Sequence, residues 1–93
     1  MKTKVHFRKW PSGNIIALFP EIPVDSVGVY CLSYEQIGQH GSANVELPNT
    51  MVAKPEEYAK LYHELTSIDY DLVVVKRITA KMNTIRRNAT LVP

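Results

Sequence analysis

His40 stands between Gly38 and Gly41 with Tyr34, Glu35, Gln36, Gln39 and Ser42 nearby, the densest gathering of hydrogen-bonding side chains in the sequence. An imidazole there could act as a general base or as a ligand donor. Cys31 would be the nucleophile of a Cys–His pair, but no local signature surrounds it and no third, orienting group can be named. A zinc site needs paired donors, and His6, His40, His63 and Cys31 show neither i, i+4 histidines nor Cys-x-x-Cys spacing. A phosphate-cradling Gly-x-x-x-x-Gly-Lys stretch is absent, which removes nucleotide hydrolysis. The set is incomplete for catalysis, and the expectation is a non-enzymatic protein with no catalytic residue, no metal and no cofactor; a small His40-dependent hydrolase is the enzymatic alternative.

The same residues suit recognition. Read as a loop from Tyr34 to Ser42, the stretch lets Gly38 and Gly41 shape the backbone through positive φ or close approach. Gln36, Gln39, His40 and Ser42 exchange hydrogen bonds, and Tyr34 supplies a rigid contact surface. The expected partner is a host or phage protein or a small ligand. A second constellation is basic: Lys4, Arg8, Lys9 and Trp10 near the start and Lys76, Arg77, Lys81, Arg86 and Arg87 near the end. Cations interleaved with an aromatic resemble a single-strand nucleic-acid platform, so nucleic-acid binding is the alternative partner class, although a formal charge of +2 is low for a dedicated binder.

The elements that must position these groups follow from period and punctuation. Lys4 to Trp10 alternates, Val5 and Phe7 on one face and His6, Arg8 and Trp10 on the other, as in a half-buried strand. Pro11-Ser12-Gly13-Asn14 carries turn chemistry, and Ile15 to Phe19, apolar on both faces, predicts an inner strand stopped by Pro20 and Pro23. Val29 to Tyr34 alternates as a third strand, and Ala43 to Leu47 supports a short fourth. Pro55, followed by Glu56 and Glu57, opens a helix to Thr66 whose stripe is Tyr58, Leu61, Tyr62, Leu65 and Ile68. Leu72 to Ile78 is β-branched and predicts a last strand, central or beside the first. The order β-β-β-(β)-α-β predicts an α+β fold: a small, mostly antiparallel sheet of four or five strands with one helix packed on a face.

Ninety-three residues make one domain, assigned here to 1–78, with 79–93 a basic C-terminal tail that is a short helix or a flexible end. The 45% hydrophobic and 22% charged content is that of a folding chain rather than a disordered one. A lone Cys31 makes no internal disulfide, and Lys2, Lys4, Arg8 and Lys9 interrupt any early apolar run of a secretory signal. The longest apolar run, Ile15 to Phe19, is far short of the roughly 20 residues of a membrane span, so no membrane partner and a cytoplasmic location are expected. Residues 1–9 and 76–93 hold nine of the eleven Lys and Arg and no acid, while 10–75 hold all nine acids. If the terminal strands are neighbours, the domain gains a basic and an acidic side. A second strand apolar on both faces also allows a homodimer through the sheet.

Taken together, Val5-x-Phe7-Arg8-x-Trp10, Ile16-Ala17-Leu18-Phe19-Pro20-Glu21, Tyr30-Cys31-Leu32-Ser33-Tyr34, Gly38-Gln39-His40-Gly41 and Pro55-Glu56-Glu57-Tyr58 resemble a family of short uncharacterised proteins of bacteriophage, prophage and gut-bacterial sequence. The resemblance covers residues 4–78 and implies a phage-type accessory protein of a bacterial host's cytoplasm, without an activity to carry over. Against the family pattern, Gln36 replaces a His and so removes a His-x-x-x-His pair. Lys54 replaces a Thr cap, a loss of about 1 kcal/mol at the helix start. Asp69 replaces a Gly, which makes a left-handed helix end more costly.

Overall fold

The computed structural model describes residues 2–35 and 38–90. Alternation in β1 (Thr3–Lys9) divides its side chains as expected: Val5 and Phe7 enter one core, while His6 is buried on the opposite face. The turn after it closes with Trp10 N–H donating to the Asn14 carbonyl at 2.8 Å and Gly13 at φ +95°, where a Cβ would be strained. β2 (Ile15–Pro23) pairs antiparallel with β1 and is covered on both faces, Ile15, Ala17 and Phe19 on one and Ile16 and Leu18 on the other. Pro20 and Pro23 do not stop this strand. The register shifts between Phe19 and Pro23, and such a bulge accommodates residues with no N–H to give the ladder.

β3 (Tyr30–Glu35) and β4 (Gln39–Asn44) extend the antiparallel sheet. β5 (Met51–Val52) pairs with the second half of β1, and β6 (Leu72–Val74) runs parallel to its first half. The strand order is β4-β3-β2-β1-β5 with β6 also on β1, an α+β fold with a mostly antiparallel sheet of five to six strands and two helices. The expected strand to Ile78 is shorter, its ladder ending where Val75 N–H meets the Val5 carbonyl at 2.8 Å. β6 lies beside β1 on the side of the sheet away from β4, whereas the basic segment that follows it crosses to the second face as a helix.

Helix α1 (Pro55–Ser67) covers the first face with Leu61 and Leu65 buried, and Tyr58 stacks on Phe7 at 4.3 Å between centroids. Its start lacks a side-chain acceptor at Lys54, yet Glu57 Oε1 accepts the Lys54 N–H at 2.9 Å, half of a capping box. Asp69 ends the turn at φ +77°, the left-handed conformation a glycine would take at less cost. The tail forms helix α2 (Ala80–Asn88), capped by Thr79 Oγ1 accepting from the Met82 N–H at 3.2 Å, and docks on β2 from the second face. No helix among the described residues is long and apolar enough to cross a membrane.

His6 belongs to this scaffold. Its Nδ1–H donates to the Val75 carbonyl at 2.9 Å, so Nε2 is the acceptor for Arg8 Nη1 at 3.3 Å, and Arg8 in turn donates to Thr50 Oγ1 and O at 2.6 and 2.7 Å. Burial, opposed by the Val75 bond and aided by the Arg8 charge, pushes the His6 pKa below its ordinary 6.5. The folded state thus prefers neutral imidazole, and the unfolded chain binds the extra proton as pH falls below about 6.5. Urea midpoints are expected to decline from pH 8 to 5, with a shallower slope in His6→Gln; equal slopes would sever His6 from this dependence.

Candidate functional site

Sheet register, rather than a loop, gathers the polar residues. Gly38 N–H donates to the Glu35 carbonyl at 3.0 Å with Gly38 at φ +82°, and the chain re-enters the sheet at once as β4. Gln39, His40, Gly41 and Ser42, expected in a loop, are therefore strand residues opposite Glu35, Tyr34, Ser33 and Leu32. Gly41 does not take positive φ, contrary to its expected role in shaping a turn. Gln36, also assigned to the loop, lies outside the described residues.

Alternation splits the stretch between the two faces of the sheet. On the α1 face His40 meets Tyr34 edge-on, with ring centroids 4.8 Å apart, and His40 Nε2 pairs with the Tyr70 hydroxyl at 2.8 Å. Tyr34 Oη donates to Glu64 Oε2 on α1 at 2.5 Å, and Tyr70 stacks on Phe19 at 4.9 Å. The Glu64 carboxylate accepting its proton holds the Tyr34 phenol above its usual pKa, and burial does the same for Tyr70. Both phenols stay protonated at neutral pH, with Tyr34's proton committed to Glu64. No third group orients His40 as a base among the described residues.

On the other face lies a groove of about 410 Å³ bordered by Trp10, Ile16, Ser33, Glu35, Gln39 and Leu47. Gly41 faces it from β4, and a Cβ there would come within 3.3 Å of Ser33 Oγ, so the missing side chain leaves the groove open toward the sheet edge. Glu35 has no cation within ion-pair distance and no side-chain hydrogen bond among the described residues. Cys31 shares this second face with Ala43, whereas His40 occupies the first, so the two do not form a nucleophile–base pair. Burial pushes the Cys31 thiol up to about 11, the pKa of an inert packing residue. No group of three metal-binding side chains occurs among the described residues.

The basic residues are divided differently from the expectation of one platform. Lys4 pairs with Glu21 at 3.2 Å, Lys9 pairs with Glu57, and Arg8 is held by Thr50. His6, which shares with Arg8 and Trp10 the strand face opposite Val5 and Phe7, is only 2% exposed, and Trp10 packs half-buried against the cluster of Ile16 and Leu18. Arg86 is 1% exposed and gives its guanidinium to carbonyls of the β2–β3 region, out of reach of a phosphate. Lys76, Arg77, Lys81 and Arg87 remain exposed. Glu64 and Tyr70 escaped the sequence reading, whereas Glu35 and Ser33 lie in the polar stretch but are given no contact role by it. Placing Gly38 as the left-handed residue of a tight hairpin would have aligned Tyr34 with His40 and Ser33 with Gly41.

No family model, curated protein or solved structure matches this chain.

Proposed function

We propose that the protein is a binding module that takes up an extended segment of a partner protein as a further strand on β4. The observation that carries this reading is the outer edge of β4: six residues at the end of the sheet, nearly all exposed, with no proline and no formally charged side chain. Edges of that kind are normally blunted by Lys, Pro or a bulge, because alternate N–H and C=O groups point outward and template another strand. The opposite side of the sheet is closed by β5 and β6, only two and three residues long. On either side of the β4 edge sit surfaces that could read alternate side chains, the Tyr34–His40–Tyr70 cluster and the groove beside Glu35. An accessory role of this kind in a bacterial cell agrees with the phage-type residue pattern.

The test uses ten-residue peptides selected on the protein from a random display library, with the contact mapped by residue on the protein. Contacts recurring every second residue along Gln39–Asn44 are expected. A footprint on α2 or on Lys76 and Arg77 would overturn strand addition and favour the basic surface.

A further inference from the structure

We infer that the groove beside β4 is a specificity pocket for one basic side chain, arginine ahead of lysine, on the added strand, with the Glu35 carboxylate as its counter-charge. This inference rests on strand addition and names the chemistry of the segment added. Three features converge on it. The groove is lined by apolar side chains at Ile16, Ala43 and Leu47 and by polar ones at Ser33, Glu35 and Gln39, so it offers both carbon surface for a long aliphatic stem and hydrogen-bonding groups for a charged head. Arginine and lysine have that division along one side chain. Glu35 has no partner among the described residues, unlike Glu64, Glu21 and Glu57, which are held by Tyr34, Lys4 and Lys9. An unpaired carboxylate that borders a groove gives it a negative potential complementary to a cationic side chain.

The entrance and the aromatic wall refine the choice. Gly41 interrupts the row of side chains that Gln39 and Ala43 make on this face, so a residue on a neighbouring strand can reach across β4 toward Ser33 and Glu35. Trp10 borders the same groove, and a planar guanidinium can lie on an indole face while offering donors to a carboxylate and to the Ser33 and Gln39 oxygens. A lysine offers a point charge and loses the fork. An acidic or wholly apolar side chain leaves Glu35 repelled or unpaired.

The experiment selects random ten-residue peptides on the wild-type protein, on Glu35→Gln and on Glu35→Lys, with thermal melts to establish that each variant is folded. The expected result is Arg or Lys fixed at one position in the wild-type selection. That preference disappears with Glu35→Gln and turns to Asp or Glu with Glu35→Lys, and an Arg→Gln change in a selected peptide weakens binding on the order of tenfold on wild type alone. Peptides that bind along β4 with no basic position, or whose basic position is indifferent to Glu35, overturn the pocket while leaving strand addition intact. Failure to select any peptide that binds β4 overturns both.

Discussion

Arg86→Ala is expected to melt about 15 °C below the wild-type protein, a loss of roughly 3 kcal/mol. The Arg86 guanidinium is buried, and its donors meet the Gly28 carbonyl, the Pro20 carbonyl and Asn83 Oδ1, each at 2.8 Å. No carboxylate pairs with it among the described residues, so its charge is dispersed over neutral acceptors. Truncation would leave two interior carbonyls without donors and a void where a long side chain had been. The joint is tight on its other side too: Gly28 sits at φ +74°, and a Cβ there would lie 2.9 Å from Arg87 Cα. Arg86→Lys should recover only part of the loss, since an ammonium cannot reproduce the planar fork. Cys31 offers a second readout, because its buried thiol should become open to alkylation once α2 leaves the sheet. A melt within a few degrees of wild type would show that the Arg86 bonds do not hold α2 in place.

Gly41→Val should weaken a peptide selected on the wild-type protein by something on the order of a hundredfold while leaving the fold in place. The backbone at Gly41 is ordinary strand, and a β-branched residue suits a strand. Only the groove objects: the new Cβ would stand 3.3 Å from Ser33 Oγ, and the two methyls would fill the opening between Gln39 and Ala43. Adding Ser33→Ala removes the contacting oxygen and separates the two effects. If the double variant relieves any small loss of melting temperature from that tight contact but does not recover peptide affinity, the loss of binding arises from the blocked entrance. Isothermal titration of the single and double variants measures it, and unchanged affinity in Gly41→Val would place the peptide's side chains elsewhere.

These effects also mark where the sequence was informative. Period and punctuation sufficed for β1, for the doubly covered β2 and for α1, because each carries a run whose burial pattern is local: Val5 and Phe7, Ile15 to Phe19, Leu61 and Leu65. They misled where long-range contacts set the outcome. Gly38 and Gly41 look alike in sequence, yet one closes a hairpin at positive φ and the other lies in a strand, and only pairing with β3 distinguishes them. Arg86 reads as one more cation of a basic tail until the carbonyls of Pro20 and Gly28, far away in the chain, surround it. Tyr34, Gly38, Gln39, His40, Gly41 and Ser42 are close in sequence, but alternation divides Tyr34 and His40 from Gln39 and Gly41 and so makes two surfaces of the expected one. Glu64 and Tyr70 reach the first of these surfaces from α1 and the turn beyond it, through packing that no local pattern encodes.

Amide hydrogen exchange of the wild-type protein, followed residue by residue with and without a selected peptide, tests strand addition most directly. On an open edge, the outward amides of β4 exchange freely while the intervening ones are already held by β3. Strand addition predicts that bound peptide protects the outward, alternate amides of Gln39–Asn44 and leaves β5 and β6 unchanged. Protection that skips β4, or that falls on α2 instead, would contradict it.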